Sequence, residues 1–292
     1  MSLIAKTRLP MRIVALPLTS TLRPRSPHGN PSPLVYYQFQ TPPRPENQRQ
    51  GWVDWATAKA ADAWAELGKA PEGNWKFKAF QYGERLVDRI DFEELALKGV
   101  DPSLGPRISH PKGPSEDEKK STIIPLVHPK FVGTPPLAHL ETLLAKRTPR
   151  HRKGFWTWML LAPLTAPFML IPIIPNFPFF FCVWRSWSHF RAYKASEYLQ
   201  SLLQYGAIVA QTNGNLDEIY LRHAPTPSTT VSPSEALHRE TDPGPERDEK
   251  MLLTRDAVPP ILSLFGLPSS AASDIYRAIA QADVRLKERH SQ

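Results

Sequence analysis

From Gly154 to Trp184 the chain runs for 31 residues without Asp, Glu, Lys, Arg or His. Fourteen positions from Phe155 to Val183 are Leu, Ile, Phe or Val. Each contributes about −0.3 to −0.6 kcal/mol near a bilayer centre, or very roughly −4 to −8 kcal/mol towards insertion. A helix apolar on every side would otherwise have to be buried all round, and the mean hydropathy of the chain, −0.36, leaves little else to bury it. The segment is therefore expected to enter a membrane.

Five prolines interrupt it, at 163, 167, 172, 175 and 178. A single helix of this length would measure about 46 Å against a hydrocarbon core of about 30 Å. Pro172, Pro175 and Pro178 bunch around Asn176 in "PIIPNFP". Each proline steers its predecessor away from helix and Asn tolerates turn geometry, so these four residues read as a turn within the membrane. Arg150, Arg152 and Lys153 precede the run and Arg185 follows it. Positive charge resists translocation, which favours leaving both ends on one side. Trp156, Trp158, Trp184 and Trp187 would then join these cations as anchors at one interface. Two geometries stay open: a re-entrant or two-pass hairpin, and a single kinked span. Backbone freed at the turn needs partners at depth, which implies an oligomer or a partner subunit. The expected fold class is a mostly α membrane protein, with flanking amphipathic helices and a small N-terminal β element.

The remainder divides by composition. Residues 1–10 form a basic leader. Residues 11–100 hold two strand candidates, Ile13–Leu18 and Leu34–Gln40, the second alternating Val35, Tyr37 and Phe39 with polar positions. Two helical patterns follow, Trp52–Leu67 and Trp75–Leu97. Residues 101–121 are a Pro-rich linker, and 122–153 hold a strand with Pro125, expected at a sheet edge, then a short helix and the basic membrane entry. Residues 154–184 are the membrane segment, and 185–222 a helix and an Asn213-Gly214 turn. Residues 223–250 lack the apolar content to order, and 251–292 read as a helical module.

A formal net charge of +8 favours an acidic partner. The basic runs lie beside the apolar segment, so anionic lipid accounts for them better than nucleic acid does. Single Cys182 excludes an internal disulfide. The first acid is Glu46, so the N-terminus is basic and acid-free, the composition of a mitochondrial targeting segment. No phosphate loop, HExxH, CxxC or nucleophile elbow occurs. The nine histidines are scattered without metal-ligand spacing, so neither an enzyme, a cofactor nor a metal is expected.

Several stretches in order, "MRIVALPLT", "YYQF", "WVDWATAKAADAWAELGKA", "WKFKAFQYGERLVDRIDFEELALKG" and the basic entry into the apolar run through "SEYLQSLL", resemble the mitochondrial K+–H+ exchange-related proteins of the inner membrane. The resemblance covers most of residues 11–222 and implies a role in K+–H+ exchange and in cation or volume homeostasis. K+ and H+ are then the implied ions, and positive-inside logic puts the soluble regions on the matrix side. It brings no catalytic residues. The apolar run itself offers only Asn176, Thr157, Thr165, Cys182 and freed carbonyls where an exchanger generally needs an ionisable or liganding group. A component or regulator is therefore expected, with a hairpin-anchored scaffold as the alternative.

Overall fold

In a computed structural model of the protein, residues 11–20, 33–42, 51–106, 123–131, 135–165, 167, 177–225 and 249–291 are described. Two compact units emerge. Of the described residues, one comprises 42 and 51–91, the other 11–20, 33–41 and those from 92 onwards.

The smaller unit contains α1 (Trp52–Gly68) and α2 (Trp75–Asp88). Asn74 caps α2, its side chain accepting from the Lys76 amide at 3.0 Å. Trp64 packs on Phe80 with ring centres 5.4 Å apart, and its indole N–H donates to Glu84. A Cβ on Gly83 would lie 2.1 Å from the Trp64 ring, so only glycine permits this approach. Trp55, Trp75 and Tyr82 are exposed. The pattern from Trp75 to Leu97 is also two helices: α2 ends at Asp88, and α3 (Phe92–Lys98) begins in the larger unit.

That unit is built on a four-stranded mixed sheet in the order β2-β1-β3-β4, with β1 (Arg12–Pro17), β2 (Val35–Gln40), β3 (Ile124–His128) and β4 (Ile208–Thr212). β1 is antiparallel to β2 and parallel to β3, which is parallel to β4. β1 is apolar on both sides because both faces of the sheet are covered. Ile13 and Ala15 join a core with β2's Val35, Tyr37 and Phe39 and with two long helices, α4 (Pro136–Thr165) and α5 (Phe177–Gln204). Val14 and Leu16 face α6 (Gly214–Arg222), α7 (Val258–Phe265) and α8 (Ser270–His290). His139 ties α4 to the sheet side. The Pro33 carbonyl can only accept, so Nε2 donates to it and Nδ1 accepts from the Tyr37 hydroxyl at 2.8 Å.

The expected fold class is overturned. The described residues are 65% helical around a mixed sheet, and none of their helices is long and apolar enough to cross a membrane. The described parts of the charge-free run fall in two helices. Its first part, through Thr165, ends α4, whose earlier turns carry Lys146, Arg147, Arg150, Arg152 and Lys153. Its last part, Phe177–Trp184, begins α5, which then carries Arg185, Arg191 and Lys194. A span needs about 20 consecutive apolar residues, and neither helix supplies them.

One further expectation changes. Pro125 lies in β3, an inner strand, not at an edge. Successive amides on a strand face opposite sides, and that of Ile124 donates to Ala207 on the β4 side. Pro125 therefore turns its missing donor towards β1, where pairing begins only at Leu126. Asn213, between β4 and α6, caps α6, its side chain accepting from the Leu216 amide at 3.0 Å. The leader, residues 1–10, and most of both linkers lie outside the described residues.

Candidate functional site

Helices α4 and α5 pack antiparallel as a two-helix arm, the largest helix–helix contact in the structure. Cross-links climb it in register. His151 meets His189, the Ser186 hydroxyl donates to the Phe155 carbonyl at 3.2 Å, and Trp158 stands edge-on to Phe181 at 5.5 Å. The inner half of the arm is clamped to the sheet unit. The outer half exposes Trp156, Met159, Leu160 and Leu164 of α4 and Phe180, Val183 and Trp187 of α5.

At the boundary between these halves lies a buried ionisable cluster. Helix α3 supplies its acid. Glu93 and Glu94 occupy the first turn and Lys98 the last, which suits the helix dipole. The last turn is also satisfied from α5, since Arg191 donates to the Lys98 carbonyl at 2.7 Å. The two carboxylates diverge. Glu93 pairs with Arg147 of α4 and lies 3.9 Å from Arg285 of α8. Glu94 turns to α5, where it takes both guanidinium nitrogens of Arg185, one at 3.0 Å to Oε2, and the Ser188 hydroxyl at 2.9 Å to Oε1. Burial alone would raise the Glu94 pKa, but the hydrogen bonds and charge of Arg185, with help from His189 and Ser188, hold it below the usual carboxylate value. Bidentate charge-assisted pairing of this kind fixes orientation as well as charge.

His151 and His189 stand beside Glu94 with their Nδ1 atoms 3.1 Å apart. Both are neutral at neutral pH. Burial lowers the His151 pKa to about 4; Glu94 opposes the shift, and His189, Arg147 and Arg150 add to it. Burial likewise lowers His189, against Glu94 and with Arg185, Arg150 and Lys98. One Nδ1 must carry the proton that the other accepts. Nε2 of His151 is buried without a hydrogen-bond partner among the described residues. Gly154 makes room for the pair, because a Cβ there would lie 2.8 Å from the His189 ring. Lys98 roofs the cluster from above the Trp184 ring at 5.4 Å, its own pKa lowered by burial.

Of the residues singled out from sequence, Pro178 sits in the first turn of α5 and is exposed, while Pro172, Pro175 and Asn176 lie outside the described residues. Arg150, Arg152, Lys153 and Trp156 are exposed on α4 and Trp158 is half-buried. Trp187 is exposed and Trp184 half-buried, and Arg185 points its guanidinium at Glu94. Sequence spacing did not reveal Glu94, His151 and His189, which form a group that could hold a metal ion. A usable signal was present: Leu140, Leu144, Arg147 and His151 follow one another at helical spacing and all are buried. An Arg and a His continuing an apolar stripe mark a buried polar site.

Fold and site together define an α/β protein whose sheet carries a two-helix arm, with a buried carboxylate–imidazole cluster at the arm's middle and an apolar outer half. The profile of the mitochondrial K+–H+ exchange-related family matches residues 12–203. The chain belongs to that family, and the matched part contains all three cluster residues. An uncharacterized protein of Saccharomyces cerevisiae is 24% identical over 247 residues, covering 78% of this chain and 73% of its own length. An uncharacterized protein of Schizosaccharomyces pombe is 26% identical over 163 residues, 54% of this chain and 64% of its own. No solved structure matches.

Proposed function

We propose that the protein is a component or regulator of K+–H+ exchange at the mitochondrial inner membrane, and of the cation and volume balance that depends on it. It works in an oligomer or with a partner subunit, with its sheet unit on the matrix side, and does not itself enclose the ion path. The family membership supports the process. The observation that carries the mode of action is the two-ended arm. One end packs on the sheet through Leu140, Leu144, Ala195 and Leu199, ion pairs to Glu93 and Glu94 hold the middle, and the other end exposes Leu160 and Leu164, at 67% and 72%. Arg150, Arg152 and Lys153, together with Arg191 and Lys194, are exposed just below. Apolar side chains above a basic collar suit the surface of an anionic bilayer, where each nearby cation adds about 1 kcal/mol. A peripheral contact of this kind requires no crossing helix.

Swelling of isolated mitochondria in potassium acetate tests the reading. Mitochondria lacking the protein should swell more slowly than wild type, and the full chain should restore the rate. The double variant Trp156→Glu, Leu160→Glu should fold but restore little, and should sediment less with vesicles containing anionic lipid. Normal swelling without the protein would leave a scaffold with no transport role.

A further inference from the structure

We propose that Glu94, His151 and His189 form a binding site for one divalent transition ion of the zinc class. The inference does not depend on the exchange reading above. Each of the three residues offers one ligand atom, these atoms lie within 4.8 Å of one another, and all three residues are buried. They come from α3, α4 and α5, so packing of three helices holds the geometry. Two nitrogens bound to one such ion at about 2.05 Å stand about 2.9 Å apart at a right angle and about 3.4 Å apart at the tetrahedral angle. The 3.1 Å between the two Nδ1 atoms falls within that interval.

The two Nδ1 atoms face each other and can share only one proton, and His151, 1% exposed, is held away from water. Two neutral imidazoles and a carboxylate are the donor set of zinc-type ions, and a metal ligand must be unprotonated. Burial provides that state at neutral pH for both histidines.

Glu94 has room for the ion. A carboxylate has about four lone-pair sites; Arg185 and Ser188 use two on Oε1, and Arg185 one on Oε2. Arg185 and Lys98 oppose a cation here, whereas Arg147 is offset by its pairing with Glu93. Two imidazole nitrogens against one carboxylate favour nitrogen-seeking ions. Mg2+, which prefers oxygen and retains its water, gains nothing from the imidazoles. A bound ion would join α3 to both helices of the arm and stiffen the arm at its middle.

Purified full-length protein, stripped with chelator and titrated with Zn2+ against a competing indicator, should bind one equivalent and rise in Tm. Mg2+ should do neither. His189→Gln and His151→Gln should each weaken Zn2+ binding by at least about ten-fold, since loss of even a supporting group costs that much, whereas His223→Gln should not. X-ray absorption at the zinc edge of the one-to-one wild-type complex needs no variant. Two imidazoles with oxygen in the first shell are expected. Absence of stoichiometric binding, a first shell with fewer than two imidazoles, or unchanged affinity in both cluster variants would overturn the proposal.

Discussion

Replacing Arg185 by methionine should lower the unfolding free energy by about 3–5 kcal/mol, read from urea denaturation followed by circular dichroism. Glu94 has a side chain only 5% exposed and takes two bonds from Arg185. Methionine keeps much of the aliphatic stem but leaves the carboxylate with Ser188 as its remaining hydrogen-bond donor in the cluster. Most of the loss is the penalty of a buried charge without its counter-charge, not the net worth of the pair. Glu94→Gln in the same chain should therefore recover a good part of it, because an amide needs no counter-ion. A loss under about 1 kcal/mol, the range of an exposed ion pair, would mean that the cluster is open to water.

Acid should weaken the fold before carboxylates are protonated. His151 has a folded pKa of about 4, below its ordinary value of 6.5. Between those two pH values the unfolded chain binds a proton that the folded chain refuses. Stability is thus fully present above about pH 6.5 and falls as pH drops, by about 1.4 kcal/mol per unit and about 3 kcal/mol across the window from this residue. Burial lowers His189 and His139 too, so they act in the same direction. Glu94, held below its ordinary 4.5 chiefly by Arg185 against the effect of burial, loses its contribution only at lower pH. Urea midpoints at pH 7, 6 and 5 in chelator-treated protein should fall steadily, and His151→Leu should flatten the trend. A wild-type profile flat from pH 7 to 5 would show that the pair is not held neutral.

Much of the sheet was legible in the sequence. Alternation in Val35–Gln40 marks a strand, and the run from Ile13 to Leu16 marks another. That both faces of β1 are covered required the long-range packing of α4 and α5 on one side and of α7 and α8 on the other. The charge-free run misleads because hydropathy alone makes its two arms look fit for insertion. Its ends belong to two helices whose other halves are basic, and hydropathy of a contiguous segment does not register helix boundaries that cut across it. The cluster was hidden for a topological reason. Glu94, His151 and His189 are separated by about 57 and 38 positions, and only the packing of α3 against an antiparallel arm brings them together. Local spacing rules find ligands on one helix or loop, so they could not find these.

Reconstitution of the purified chain into liposomes of mitochondrial inner-membrane lipid composition, with an outward K+ gradient and a lumenal pH dye, tests the central claim most directly. The chain is expected to bind the vesicles and leave lumenal pH at the rate of protein-free controls. Electroneutral K+-driven acidification well above that rate, from the single purified chain, would contradict a component or regulator that does not enclose the path.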